Sequence, residues 1–416
     1  MTEARRVLVT GLGVVTPLGI GVDSFWASVQ AGRSGVKTIS AFDPSDLPTR
    51  IAATVDDFDP ERWISRKEAR RMDRSTQMAV CAASMALTDA GLTEGCFDPY
   101  DVGVSIGTGM GGMHTLEDEH STFIEEGPRR VSPFLAPMMI PNMPAGQVSI
   151  QFGLRGPSRC LATACATGSD CIGEAFGDVR VGTSPVMLAG GVDAAITKFV
   201  IAAFCSCKVL SRRNDAPERA SRPFDRDRDG FVMGEGAGVV VLEDRDRALA
   251  RGARVYAEVA GYGATADAFH MTSPDTTGEP MARAMHRALR QAGLPPTALD
   301  YLNAHGTSTP LNDKFETQAI KLALGKHAYR IPISSTKSLV GHLIGAAGAV
   351  EFITTILSIR DGYVHPTINL DHPDAECDLD YVPNVGRSRQ IGIAMSNSLA
   401  FGGHNASLVV AHPDAL

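Results

Sequence analysis

Short apolar runs that close on glycine alternate with helical segments along this chain, and that alternation restricts the available folds more than any other feature. Val7-Leu-Val-Thr-Gly-Leu-Gly-Val-Val, Val102-Gly-Val-Ser-Ile-Gly and Val186-Met-Leu-Ala-Gly-Gly-Val-Asp read as buried strands. Helical segments lie between them, around Ser24–Ala31, from Met72 to Ala90, and after Cys165, where Ile172, Ala175, Phe176 and Val179 recur at the helical period. A second cycle of strands starts at Val255. It continues with a helix over Met281–Ala292, strands at Leu299, Ile331 and Ile391, and a helix running to Arg360 with Val350, Ile353 and Leu357 inward. Strand and helix in this order specify an α/β protein. The chain also reads twice. Pro185–Ala194 parallels Gln390–Gly403, and the turn after Ala162 parallels the strand ends at His305 and Lys337. Two such halves meeting face to face would bring their strand ends to one shared cleft, where α/β proteins bind ligands.

The 416 residues are enough for a large core, and 44% hydrophobic with 21% charged residues is a globular composition. No run approaches the ~20 apolar residues of a membrane span. The N-terminal Met-Thr-Glu-Ala-Arg-Arg leads into a strand without an apolar leader core, so a cytoplasmic location is expected. The eight cysteines are scattered, without zinc-ligand spacing, and are expected to be reduced thiols. A net charge of −8 argues against nucleic acid as a general partner. Three motif fragments fail on inspection. Gly11-Leu-Gly13 lacks the third glycine of a dinucleotide fingerprint. Gly107-Thr-Gly-Met-Gly-Gly112 lacks the Lys-Ser/Thr ending of a phosphate loop and reads as a tight backbone crossing. The Asp-rich run from Asp225 has Gly236 where a calcium loop needs its bidentate Glu. No metal site is expected.

Cys165 lies in Ala-Cys-Ala-Thr-Gly, at a strand-to-helix turn whose small neighbours leave the sulfur uncovered. The free N–H groups and dipole of the helix N-terminus are positioned to stabilise a thiolate. A lone cysteine is as often a small core hydrophobe. A lone His at a strand end is usually structural, and a lone Lys usually lies on the surface. Here Cys165, His305, Lys337 and His342 all sit at strand ends within Gly/Ser/Thr-rich turns. A nucleophile with histidines, a lysine and a Gly-rich backbone segment at Phe401 forms a consistent set for acyl chemistry.

Ala164-Cys-Ala-Thr-Gly, His305-Gly-Thr-Ser-Thr-Pro, Lys337-Ser-Leu-Val-Gly-His and Phe401-Gly-Gly together resemble the β-ketoacyl-acyl carrier protein synthases of the synthase I/II type. The likeness covers essentially the whole chain. It implies a thiolase-like, five-layered αβαβα fold of two pseudo-symmetric halves: residues 1–254, carrying the nucleophile, and residues 255–416, carrying the two histidines. It implies decarboxylative Claisen condensation of malonyl-carrier protein with an acyl chain held on Cys165, giving a β-ketoacyl chain and CO2. In that scheme the N–H groups of Cys165 and Phe401 form the oxyanion hole. His305 and His342 assist decarboxylation, and Lys337 orders the site with Glu351. Thr272, Thr307 and Thr309 contact the phosphopantetheine arm, and Phe401 is a gate. The enzyme itself holds no metal or redox cofactor, the substrates riding on the 4'-phosphopantetheine of acyl carrier protein. Lys67, Arg70, Arg71, Arg129, Arg130 and Lys208 match the family's docking segments for that acidic partner.

Two readings of pathway follow from the likeness. One is a homodimer in fatty-acid elongation. The other is a ketosynthase subunit paired with a chain-length factor in a type II polyketide or polyene system, a reading prompted by Leu311-Asn-Asp-Lys-Phe-Glu-Thr. The chain departs from the family at its gate, where Leu399-Ala400 replaces Phe-Gly. Alanine resists positive φ, so restricted gate movement is expected.

Overall fold

The computed structural model describes residues 4–92 and 95–416; Met1, Thr2 and Glu3, part of the segment read for a leader, lie outside them. The apolar runs form strands joined in one hydrogen-bonded path. Its order is Ile333–Ser334, Tyr301–Asn303, Ile393–Ala400, His404–Ala411, Ala257–Ala266, Val7–Thr16, Gly236–Asp244, Val186–Asp193, Val102–Gly107 and Ser158–Arg159. The path is symmetric about its middle, where Val7–Val9 pair antiparallel with Ala257–Val259. Moving outward on either side, two antiparallel pairings are followed by two parallel ones. The parallel pairings are the ones that need crossover connections, and helices supply them.

The continuous apolar patterns have a physical cause, because both faces of the sheet are covered. The Arg74–Asp89 helix packs on Val7–Thr16 and Gly236–Asp244, and the Glu279–Ala292 helix packs on Ala257–Ala266 and His404–Ala411. Two helices, Thr167–Val181 and Ala347–Asp361, pack on each other and on strands of both halves. Helix, sheet, helix pair, sheet and helix make the five layers. Central position explains why the one-sided pattern read for the second of these helices is too narrow: every residue from Ala347 to Ile359 is buried.

The helix pair crosses at two glycines. A Cβ on Gly168 would lie 2.7 Å from the backbone N of Ala349, and one on Gly348 would lie 2.8 Å from the backbone N of Ser169. The same symmetry relates the turns leading into these helices. Ala164–Ala166 and Ile344–Ala346 are each one 3-10 turn, opening on a non-glycine residue at φ 50° and φ 51° respectively. The counterpart of the Cys165 turn is therefore Leu343–Ala347, just past His342, and not the strand end at His305. The sequence hides this because the second turn carries no reactive side chain.

Candidate active site

Cys165 occupies the middle of the first 3-10 turn, six residues beyond the short strand Ser158–Arg159. Ala164 before it takes a left-handed conformation without being glycine, a strain of about 1–2 kcal/mol that the surroundings must hold. The sulfur opens on a cavity of about 590 Å³ that also receives His305, His342, Phe401, Thr272, Thr307 and Thr309. Burial pushes the Cys165 thiol up to about 12, against the opposing pull of Lys337 and of the Phe401 backbone N–H. Dehydration of the sulfur favours the neutral thiol, and the helix terminus acts in the other direction, toward the thiolate expected from the sequence.

Lys337 opens a one-turn helix, Lys337–Val340, and is 1% exposed. Its Nζ donates to Glu351 Oε1 at 2.5 Å and to His305 Nδ1 at 3.1 Å. The backbone N–H of Ile344 donates to His342 Nδ1 at 3.2 Å. With both Nδ1 atoms accepting, these partners assign the proton of each neutral ring to Nε2. The two rings stand perpendicular, at 88°, with centroids 5.4 Å apart. Burial, then Lys337 and His342, hold His305 well below the usual imidazole range, and burial with Lys337 does the same to His342. Each neutral imidazole thus keeps an Nε2–H donor, and its one acceptor nitrogen is already engaged. Burial raises the Glu351 carboxyl to about 7 despite Lys337 beside it.

Two carboxylates at the site went unrecognised in the sequence. Glu316, on the Pro310–Leu324 helix, accepts the N–H of His305 and of Gly306, both at 2.8 Å, and so fixes the backbone that aims the ring. Asp193 ends the strand Val186–Asp193 and accepts the N–H of Gly109 at 2.9 Å and of Gly345 at 2.6 Å. It clamps the Gly-rich loop of one half to the turn of the other. Burial raises Glu316 to about 7 and Asp193 to about 6. For Asp193, a carboxylate ending an otherwise apolar strand was the available signal.

Toward the cavity mouth, Thr307 and Thr309 face each other with hydroxyls 2.9 Å apart. The Phe401 ring stacks on Phe204 at 6.4 Å between centroids. Ala400 is the last residue of its strand, paired with His404, and takes no positive φ; Gly402 and Gly403 carry the turn at φ 84° and 75°. Here the alanine costs the turn nothing. The Gly402 N–H donates to Met271 O at 2.8 Å, which ties the segment after Phe401 to the loop holding Thr272.

Residues 4–248 match the model of the β-ketoacyl synthase N-terminal domain and residues 256–371 that of the C-terminal domain. The chain belongs to the β-ketoacyl synthase family. It is 50% identical over 406 residues, 98% of each chain, to a protein of Synechocystis named 3-oxoacyl-[acyl-carrier-protein] synthase 2. Among solved structures it resembles the ishigamide ketosynthase/chain length factor, with a TM-score of 0.93, 37% identity and coverage of 98% and 99%. It also resembles a type II polyketide ketosynthase in complex with its acyl-carrier protein, with a TM-score of 0.91, 36% identity and coverage of 98% and 100%.

In this β-ketoacyl synthase the basic residues assigned to docking are all exposed, but only Lys208 lines the cavity. The Arg71 guanidinium lies 5.0 Å from the Phe134 ring centroid, which joins the segment holding Lys67 and Arg70 to the one following Arg129 and Arg130. Arg130 is paired with Glu126 at 2.8 Å. No helix among the described residues is long and apolar enough to cross a membrane. The Asp225 carboxylate, from the rejected calcium-like run, is spent on Arg222 and the N–H groups of Asp227, Asp371 and His372.

Proposed function

We propose that this chain is a β-ketoacyl-acyl carrier protein synthase of fatty-acid elongation, with Cys165 as the acyl acceptor. The observation that carries the reading is the pair of imidazoles lining the cavity with Cys165, each with its Nδ1 already engaged, by Lys337 and by the Ile344 N–H, which leaves Nε2–H as the donor for a substrate. In the first half-reaction the Cys165 sulfur attacks the thioester of an acyl-carrier protein. The N–H groups of Cys165 and Phe401 receive the developing oxyanion, the pantetheine thiol leaves, and the thiol proton goes with it. In the second, the Nε2–H groups of His305 and His342 donate to the thioester oxygen of malonyl-carrier protein. As CO2 departs, they hold the enolate. The enolate carbon attacks the Cys165 thioester and displaces the sulfur. Because both rings are donors, they stabilise the oxyanion rather than deprotonate the thiol. Lys337 maintains the His305 tautomer, with Glu351 as its counter-ion.

Thr272, Thr307 and Thr309 bind the phosphopantetheine arm on its way to Cys165. Carrier protein docks on Lys67, Arg70, Arg71, Arg129 and Lys208, with Arg130 contributing less because Glu126 already engages it. The enzyme carries no cofactor of its own and works in the cytoplasm. It divides into functional halves at residues 1–254 and 255–416. Higher identity to a fatty-acid synthase relative than to the polyketide structures favours elongation. It also favours a homodimer, whose contact would cover the exposed Phe123, Ile124 and Ile150.

The test mixes the purified chain with medium-chain acyl-carrier protein and malonyl-carrier protein and reads carrier and enzyme by intact mass. A β-ketoacyl carrier two carbons longer, lost in Cys165→Ala, is expected. An acylated Cys165 without extension would move the reading to a subunit that needs a chain-length factor.

A further inference from the structure

The turn that carries Cys165 is held by a hydrogen-bonded chain that the symmetry-related turn lacks. Thr163 Oγ1 donates to Asp170 Oδ2 at 2.5 Å, and Tyr262 Oη donates to Asp170 Oδ1 at 2.7 Å. The Thr163 N–H donates to Thr167 Oγ1 at 2.9 Å; the Thr163 carbonyl accepts the Ala166 N–H at 3.1 Å, a bond that recurs in the second turn, where the Leu343 carbonyl accepts the Ala346 N–H at 3.0 Å. Thr163 is thus fixed at N–H, carbonyl and hydroxyl, directly before the strained Ala164 and two residues before the sulfur. Asp170 is 7% exposed, and burial raises its carboxyl above the ordinary range.

In the second turn the residues in the places of Thr163 and Asp170 are Leu343 and Val350, both fully buried in the core. That turn makes the same bend and feeds a helix of the same 15 residues. An apolar pair therefore suffices for the fold. Where the sulfur sits, the chain carries a buried carboxylate instead, which costs solvation unless it is fully bonded. Tyr262 completes the bonding from the strand Ala257–Ala266 of the opposite half, and Gly173 makes room, since a Cβ there would lie 2.3 Å from the Tyr262 ring. The link thus connects the turn bearing the nucleophile to the half bearing the two histidines.

We infer that Asp170 is a positioning residue that acts through Thr163, and from Tyr262, to set the place of the Cys165 sulfur. The inference rests on Cys165 being the acyl acceptor. Its test uses the full chain with Thr163→Val, Thr163→Ser and Tyr262→Phe. Cys165 acylation rates are read by intact mass, with kcat and KM for the acyl carrier and thermal midpoints on the same samples. Thr163→Val is expected to slow acylation and kcat by about tenfold or more, with KM nearly unchanged. Thr163→Ser, which keeps the hydroxyl, is expected to restore the rate, and Tyr262→Phe to lose a smaller factor. Wild-type acylation rates in both Thr163→Val and Tyr262→Phe would overturn the inference. So would a Thr163→Ser enzyme as slow as Thr163→Val, or a lower thermal midpoint with an unchanged rate per folded molecule. Failure of the wild-type chain to acylate at Cys165 would instead overturn the assignment of the nucleophile, and this inference with it.

Discussion

The Lys337 ammonium stands 3.1 Å from His305 Nδ1, so it dictates which nitrogen of that ring faces the cavity as a donor. Removing it frees the tautomer and leaves Glu351, 1% exposed, without its counter-ion. Lys337→Met should cut malonyl decarboxylation by about 100-fold, measured as CO2 release, and Cys165 acylation by much less. It should also lower stability in denaturant titration, and more above pH 7 than below, because Glu351, already raised to about 7, takes up a proton once its counter-ion is gone. Adding Glu351→Gln should return most of that stability, because the buried charge is gone, but not the decarboxylation rate.

The Cys165 thiol, pushed up to about 12, is protonated throughout the neutral range. Its thiolate fraction rises about tenfold per pH unit below that value. Alkylation by iodoacetamide, followed at Cys165 by peptide mass, should therefore climb steadily from pH 6 to pH 9. A plateau near neutral pH would mean that the helix terminus prevails over burial after all.

Gly168 offers a test of the helix crossing. A methyl there meets the Ala349 backbone N at 2.7 Å and the Gly345 carbonyl at 2.9 Å, neither of which can swing aside. Gly168→Ala should destabilise the protein by about 1–3 kcal/mol through overpacking, despite alanine's better helix propensity. Its urea midpoint should fall accordingly, and an unchanged midpoint would show that the two helices can part without cost.

Ala400 separates gate geometry from gate motion. It is extended and strand-paired with His404, so Ala400→Gly should change stability by no more than about 1 kcal/mol. The added backbone freedom should raise the rate of Cys165 acylation from bulky acyl carriers. Equal rates in wild type and variant would confine the hinge to Gly402 and Gly403.

Much of the site could be read in the chain because reactive residues at strand ends bring recognisable turn chemistry with them. Cys165, His305, Lys337 and His342 were found from their Gly/Ser/Thr settings, and the structure gathers all four around one cavity or its immediate support. Glu316 was missed because it reads as one more polar position of the Pro310–Leu324 helix, and Asp193 because the N–H groups it accepts, those of Gly109 and Gly345, lie far along the chain. The helix terminus beside Cys165 is visible in the sequence, and the burial that pushes its thiol up is not.

The sequence by itself determined the α/β class, the doubled strand-and-helix cycle and the residue types available for acyl transfer. Each of these is written in short-range periodicity and turn chemistry, which depend on neighbours in the chain. Only the tertiary structure decided that Leu343–Ala347 mirrors the Cys165 turn, that both imidazoles present Nε2–H, and that Asp170 reaches Tyr262 across the two halves. Those facts depend on contacts between residues remote in sequence. They depend as well on a dry interior, where the direction of a single hydrogen bond selects a tautomer and burial acts against a helix dipole.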